Sequence, residues 1–64
     1  MKLKEARARA NRSQWDVSLM TGINQSKISL FESGYILPSD EERMLLAKAL
    51  EIDPDDLVFK IKTT

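Results

Sequence analysis

Residues 13–34, SQWDVSLMTGINQSKISLFESG, read as two short helices meeting at one tight corner. Ser13 is a natural N-cap, and Asp16 three residues on completes a capping box while favouring the positive helix end. The helix over 14–21 must stop near Gly22, which can take the positive φ of a tight turn. Asn24 then caps a second helix over 25–33, with Ile28 and Phe31 facing inward, and Gly34 ends it. Two helices that cross closely need a small residue at the crossing, a glycine in the turn and aliphatic side chains to lock the angle. Ser18, Gly22, Ile23 and Ile28 supply these in the required order.

Outward from this corner the helix signals continue. Leu3 to Ala10 is rich in Ala, Arg, Lys and Glu, which favours a helix over about 2–10 with Leu3, Ala6, Arg7 and Ala10 on one face. Asn11 suits a left-handed cap. Downstream, Tyr35-Ile36-Leu37-Pro38 reads as an extended connector, because the residue before proline avoids the helical region. Ser39 and Glu42 form another capping box, opening a helix over 40–50 with an inner stripe of Arg43, Leu46, Ala47 and Leu50. Asp53 before Pro54 predicts a short fifth helix over 54–58. Phe59 and Ile61 then alternate with Lys60 and Lys62 in a brief period-two pattern. The expected fold is all-α, a compact bundle of five short helices in a single domain, 1–64.

Composition narrows the chemistry. The 64 residues hold 10 Lys and Arg, 10 Asp and Glu, and neither His nor Cys. Zinc fingers, disulfide scaffolds and His-dependent triads are therefore excluded. A serine nucleophile would lack its base, so no enzyme is expected. Asp53, Asp55 and Asp56 lack the glycine and distal Glu of an EF-hand loop and read as cap charges, so no metal and no cofactor is expected. No apolar run is long enough for a membrane span, and the basic start leads into no hydrophobic segment, so a cytoplasmic protein without a membrane or small-molecule partner is expected. The neutral total hides a dipole. Residues 1–35 carry six basic and three acidic side chains, whereas 36–64 carry four and seven.

The corner at Gly22 has the geometry of a helix-turn-helix. Its register resembles the Cro/CI-like (Xre) helix-turn-helix family of phage and bacterial transcriptional regulators. The resemblance spans about Leu3 to Leu57 and rests on Arg7, Ser13-Gln14, Val17-Ser18, Gly22-Ile23, Ile28-Ser29, Phe31-Glu32, Gly34, Pro38 and Leu46-Ala47 through Leu50. It implies that the helix over 25–33 lies in the major groove of double-stranded DNA, with Gln25, Ser26, Ser29 and Leu30 towards base edges. Gln suits adenine, Ser several bases, and Leu30 a thymine methyl. It further implies phosphate contacts from Gln14, Asn24, Lys27, Ser33 and Tyr35, and a structural ion pair between Arg7 and Glu32. By residue type alone, Gln25, Ser26 and Ser29 better suit a solvated helix face, and Tyr35 could equally pack over the bundle edge. Leu30, flanked by inward Ile28 and Phe31, is harder to explain as ordinary surface.

One helix reads few base pairs, so a homodimer on a palindromic operator is expected, in the manner of a repressor. Family members commonly pair through the end of the bundle, which points to Leu57, Val58, Phe59 and Ile61; the same residues could instead cap the chain's own core. Some positions depart from the family pattern. Arg12 replaces an aliphatic residue, with Trp15 expected to cover the gap, and Ser18 brings a hydroxyl expected to bond a carbonyl one turn back. Glu51 sits where glycine is common. Leu19, Met20, Met44 and Leu45 replace polar residues and suggest contact with another protein or a second copy, or simply a wider core stripe. The rival function is an interaction module, or antitoxin-like partner, that keeps the fold without binding DNA.

Overall fold

The structure, a computed structural model, describes residues 1–62, so Thr63 and Thr64 of the expected 1–64 domain lie outside the described residues. It is all-helical, with no strand among the described residues. Helix α1 spans Leu3–Ala10, α2 Gln14–Thr21, α3 Gln25–Ser33 and α4 Asp40–Ala49, followed by one 3-10 turn, Pro54–Asp56.

Local chemistry accounts for most of the boundaries. Ser13 and Ser39 each close a reciprocal capping box, with Asp16 and Glu42 respectively. Asn11 at φ 57° and Gly22 at φ 78° end α1 and α2 in the left-handed region. A Cβ on Gly22 would meet nothing within 4 Å, so the backbone angle alone demands glycine there. Helix α4 ends one residue short of the expected 50, with Leu50 as its cap, and Glu51 takes φ 56° at the place where glycine is common.

The expected fifth helix over 54–58 is a single 3-10 turn. Asp53 caps it through the Asp55 N–H, but Leu57 already has extended backbone. The next N–H, on Val58, donates to the Met1 carbonyl at 2.9 Å, and that of Lys62 donates to Gly34 at 2.7 Å. The tail therefore binds the start of the chain and the end of α3 in place of winding further. Every helix contributes to one core: Leu3 and Ala6 from α1, Val17 from α2, Ile28 and Phe31 from α3, Leu46 and Ala47 from α4. Ile23, Leu50 and Leu57 close it from the connections. Burial of these side chains, at about 1.5–3 kcal/mol for each large aliphatic or aromatic residue, is the main force holding a bundle this small.

Candidate nucleic-acid interface

The corner between α2 and α3 is fixed by short polar bonds inside an apolar crossing. The Ser18 hydroxyl donates to the Ile23 carbonyl at 2.6 Å, forward across the turn and not back to the preceding turn as expected. Thr21 takes the backward bond, donating to Val17 at 2.7 Å while accepting from the Ile23 N–H at 3.1 Å. Val17, Ile23 and Ile28 are buried around it. Both hydroxyls of the bend and the N–H groups of Gly22 and Ile23 are thus paired, which ties α2 to the turn that leads into α3.

Helix α3 is divided lengthwise. Ile28 and Phe31 enter the core, whereas Gln25, Ser26 and Lys27 are exposed, Ser29 is half-buried and Leu30 keeps 41 % of its surface open. Asn24 starts the helix, its side-chain oxygen accepting from the Ser26 N–H at 2.8 Å. There is no acidic residue in the first turn, so the positive helix end is not neutralised from within. At the other end, Ser33 and Tyr35 are exposed beside Gly34. A Cβ on Gly34 would lie 3.0 Å from the backbone of Lys60 and Lys62, so this turn requires glycine for space as well as for φ.

The one carboxylate on α3 is turned away from this face. Arg7 grips Glu32 with two parallel bonds, Nε to Oε2 at 2.6 Å and Nη2 to Oε1 at 2.9 Å. A third Arg7 bond, 3.0 Å to the Arg12 carbonyl, ties in the α1–α2 connection. The Gln14 amide donates to Glu32 Oε1 at 3.2 Å, a contact not foreseen from the spacing. Helices α1, α2 and α3 therefore meet at one carboxylate, and the α1–α2 connection joins them through Arg7. The hydrogen bond to Glu32, opposed by burial and aided by its charge, holds the Arg7 guanidinium above its ordinary pKa. Gln14 is half-buried by this latch, with its side chain committed to Glu32.

Lys27 is engaged as well. Its Nζ lies 2.5 Å from Glu42 Oε2 at the start of α4. The bond from Lys27, then that from the Ser39 N–H, keeps the Glu42 carboxyl below its usual range. Nothing in the spacing of Lys27 and Glu42 announces this pair, because the six-residue connector that folds them together is irregular.

Two expectations change. Trp15 is 56 % exposed and Arg12 is exposed, so the indole does not cover the Arg12 position; Asn11 and the Arg7–Arg12 bond hold that connection instead. In the tail, Leu57 is buried in the chain's own core and offers a partner copy almost no surface, contrary to the expectation of an interface residue. Phe59 packs edge-on against Phe31, centroids 6.2 Å apart, while Val58 and Ile61 remain exposed.

A family model described as helix-turn-helix, of the Cro/C1 type, matches residues 3–57. The chain belongs to the Cro/C1-type helix-turn-helix family. The family comprises DNA-binding transcription regulators that are not typically enzymes, and this coarse role comes with membership. No curated protein and no solved structure matches the chain. In this helix-turn-helix protein, no helix among the described residues is long and apolar enough to cross a membrane.

Proposed function

We propose that the protein is a sequence-specific transcriptional repressor that places α3 in the major groove and acts as a homodimer on a palindromic operator. The observation that supports it best is the division of α3: its inner side is locked into the core, its outer side carries hydrogen-bonding residues and one leucine, and its carboxylate is sequestered by Arg7. Such a helix offers base-reading groups without presenting negative charge to phosphate.

Gln25 is assigned to a base edge, with adenine as its best bidentate partner, and Ser26 and Ser29 to further base contacts. Leu30 is assigned to a thymine methyl. Asn24, Ser33 and Tyr35 flank the helix and are assigned to the phosphate backbone, which fixes register without reading sequence. Gln14 reaches phosphate best through the free amides at the α2 start, since its side chain is occupied. Lys27 must exchange Glu42 for phosphate.

Selection of bound duplexes from a random library tests this reading. A palindromic consensus is expected, with binding that weakens linearly in log salt concentration. Gln25→Ala with Ser29→Ala should relax the consensus at one or two positions per half-site, at about 1–3 kcal/mol for each lost contact, without unfolding the protein. Absence of any enriched duplex at low salt would overturn the proposal in favour of an interaction module.

A further inference from the structure

The outer side of α4 bears no relation to the α3 face. Leu46 and Ala47 of this helix are wholly buried, while Glu41, Met44, Leu45 and Lys48 share the opposite side. Met44 is 61 % and Leu45 39 % exposed, and both continue into a shallow apolar groove floored by Ile52 and Pro54. We propose that this face pairs two copies of the chain, with their α4 helices antiparallel about a two-fold axis passing between Met44 and Leu45.

The charge pattern selects the occupant. Glu41 and Lys48 lie seven residues apart on one face, about 10 Å along the helix axis. Their midpoint coincides with that of Met44 and Leu45. An antiparallel copy therefore sets Glu41 against the partner's Lys48, and Lys48 against the partner's Glu41, while the apolar pair meets its own image at the centre. Parallel pairing would oppose like charges instead. A two-fold contact requires a self-complementary patch of this kind. Among the described residues, neither Glu41 nor Lys48 is in an ion pair, in contrast to their neighbour Glu42. Antiparallel helix dipoles also attract.

The tail fits a partner copy less well. Val58 and Lys62 already use their backbone N–H groups within the chain, and the exposed Val58 and Ile61 are interspersed with Lys60 and Lys62. A two-fold axis there would bring lysines together.

Six residues line the α4 patch, against roughly 20–30 a side in a standard stable interface, so the free protein is expected to form a weak dimer. Two half-sites on one duplex raise the effective concentration of the copies and complete the pairing. The face gives the proposed homodimer its surface, yet it stands without DNA, and the test is made on the free protein so that the two readings fail separately.

Sedimentation equilibrium over a concentration series reads the dimer directly. Wild type should show a monomer–dimer equilibrium. Glu41→Lys and Lys48→Glu should each raise Kd by about tenfold or more, because each loses two attractive pairs and gains two repulsive ones. Mixing these two variants in equal amounts should restore the dimer, as should the double variant Glu41→Lys with Lys48→Glu, which leaves net charge unchanged. Met44→Lys should abolish association, with circular dichroism confirming the folded state and Leu45→Gln serving in its place if it does not fold. A wild-type chain that stays monomeric to millimolar concentration overturns the proposal. So does a Kd indifferent to the single charge reversals, or a double variant no tighter than either single one.

Discussion

Helices α3 and α4 are of nearly equal length and each starts at a side-chain cap, but their ends and outer faces are opposites. The first turn of α3 has no acid, whereas α4 begins with Asp40, Glu41 and Glu42. The outer side of α3 is mostly polar with a single leucine; that of α4 is apolar at its centre and charged at its ends. Their anchorage differs too. The far end of α3 is clasped by the Arg7–Glu32 latch, while α4 is held mainly by Leu46, Ala47 and Leu50. A helix that approaches a polyanion gains from an unneutralised N-terminus and a hidden carboxylate. A helix that meets another protein gains from apolar area and paired charges. The contrast matches the two proposed tasks, duplex reading by α3 and self-association by α4.

The largest break in this contrast should come from Arg7→Ala. Glu32 would keep only Gln14 as a partner, and α3 would lose its tie to α1. A loss of about 3 kcal/mol is expected, the lower end of the cost of breaking a buried pair, because both side chains retain some solvent contact. Since a domain of this size has a total stability of about 3–10 kcal/mol, the urea midpoint should fall by a large fraction. An unchanged midpoint would show that the latch positions α3 without holding it.

Next in size is Ser39→Ala, which removes the hydroxyl that accepts from the Glu42 N–H at 3.1 Å. It should cost about 1 kcal/mol, the usual value of an N-cap. Duplex affinity measured well below the unfolding midpoint should not change, because this cap belongs to α4. Gln25→Glu tests the opposite end of the comparison. An acid in the first turn of α3 should raise stability by up to about 0.5 kcal/mol through the helix dipole. The same change should weaken duplex binding at least tenfold, through repulsion from phosphate and loss of the adenine contact. A variant both more stable and unimpaired in binding would place the DNA contact elsewhere.

Much of this contrast is legible in the chain because it depends on short-range rules. Ser13 with Asp16, Ser39 with Glu42, Asn24, Asn11 and Gly22 act on neighbours within a few residues, so the four α-helices follow from them with their ends nearly in place. The Arg7–Glu32 pair is legible only through the family resemblance, since 25 residues separate its members. What escapes the sequence is settled by long-range partners. The tail unwinds after Asp56, where Met1 and Gly34 offer their carbonyls, and no pattern within residues 54–58 encodes that. Ser18 bonds forward because the turn brings the Ile23 carbonyl closer than helical spacing suggests. Trp15 is exposed, contrary to the expectation that it covers the gap at Arg12, and nothing in the structure explains its size there.

The Lys27–Glu42 pair is the one polar link between the two contrasting helices, among the described residues, and Glu42→Gln probes it with the smallest change. Glutamine can still accept from the Ser39 N–H, so the capping box survives and stability at neutral pH should shift by less than about 1 kcal/mol. The carboxyl of Glu42 has a lowered pKa in the folded state, so its contribution is present above the ordinary carboxylate range and disappears as pH falls through the folded value. The variant should accordingly lose part of the decline in urea midpoint that wild type shows between about pH 5 and pH 3. Asp16, held low by the Ser13 N–H and hydroxyl, accounts for another part of that decline and remains in the variant. On DNA the effect has the reverse sense. With Glu42 neutral, Lys27 no longer exchanges one carboxylate for a phosphate, so the slope of log affinity against log salt should steepen by about 0.9, the value of one added phosphate contact. Adding Lys27→Met to the variant should return the slope to its original value, whereas an unaltered slope in Glu42→Gln would mean that Lys27 stays off the duplex and serves only to join α3 to α4.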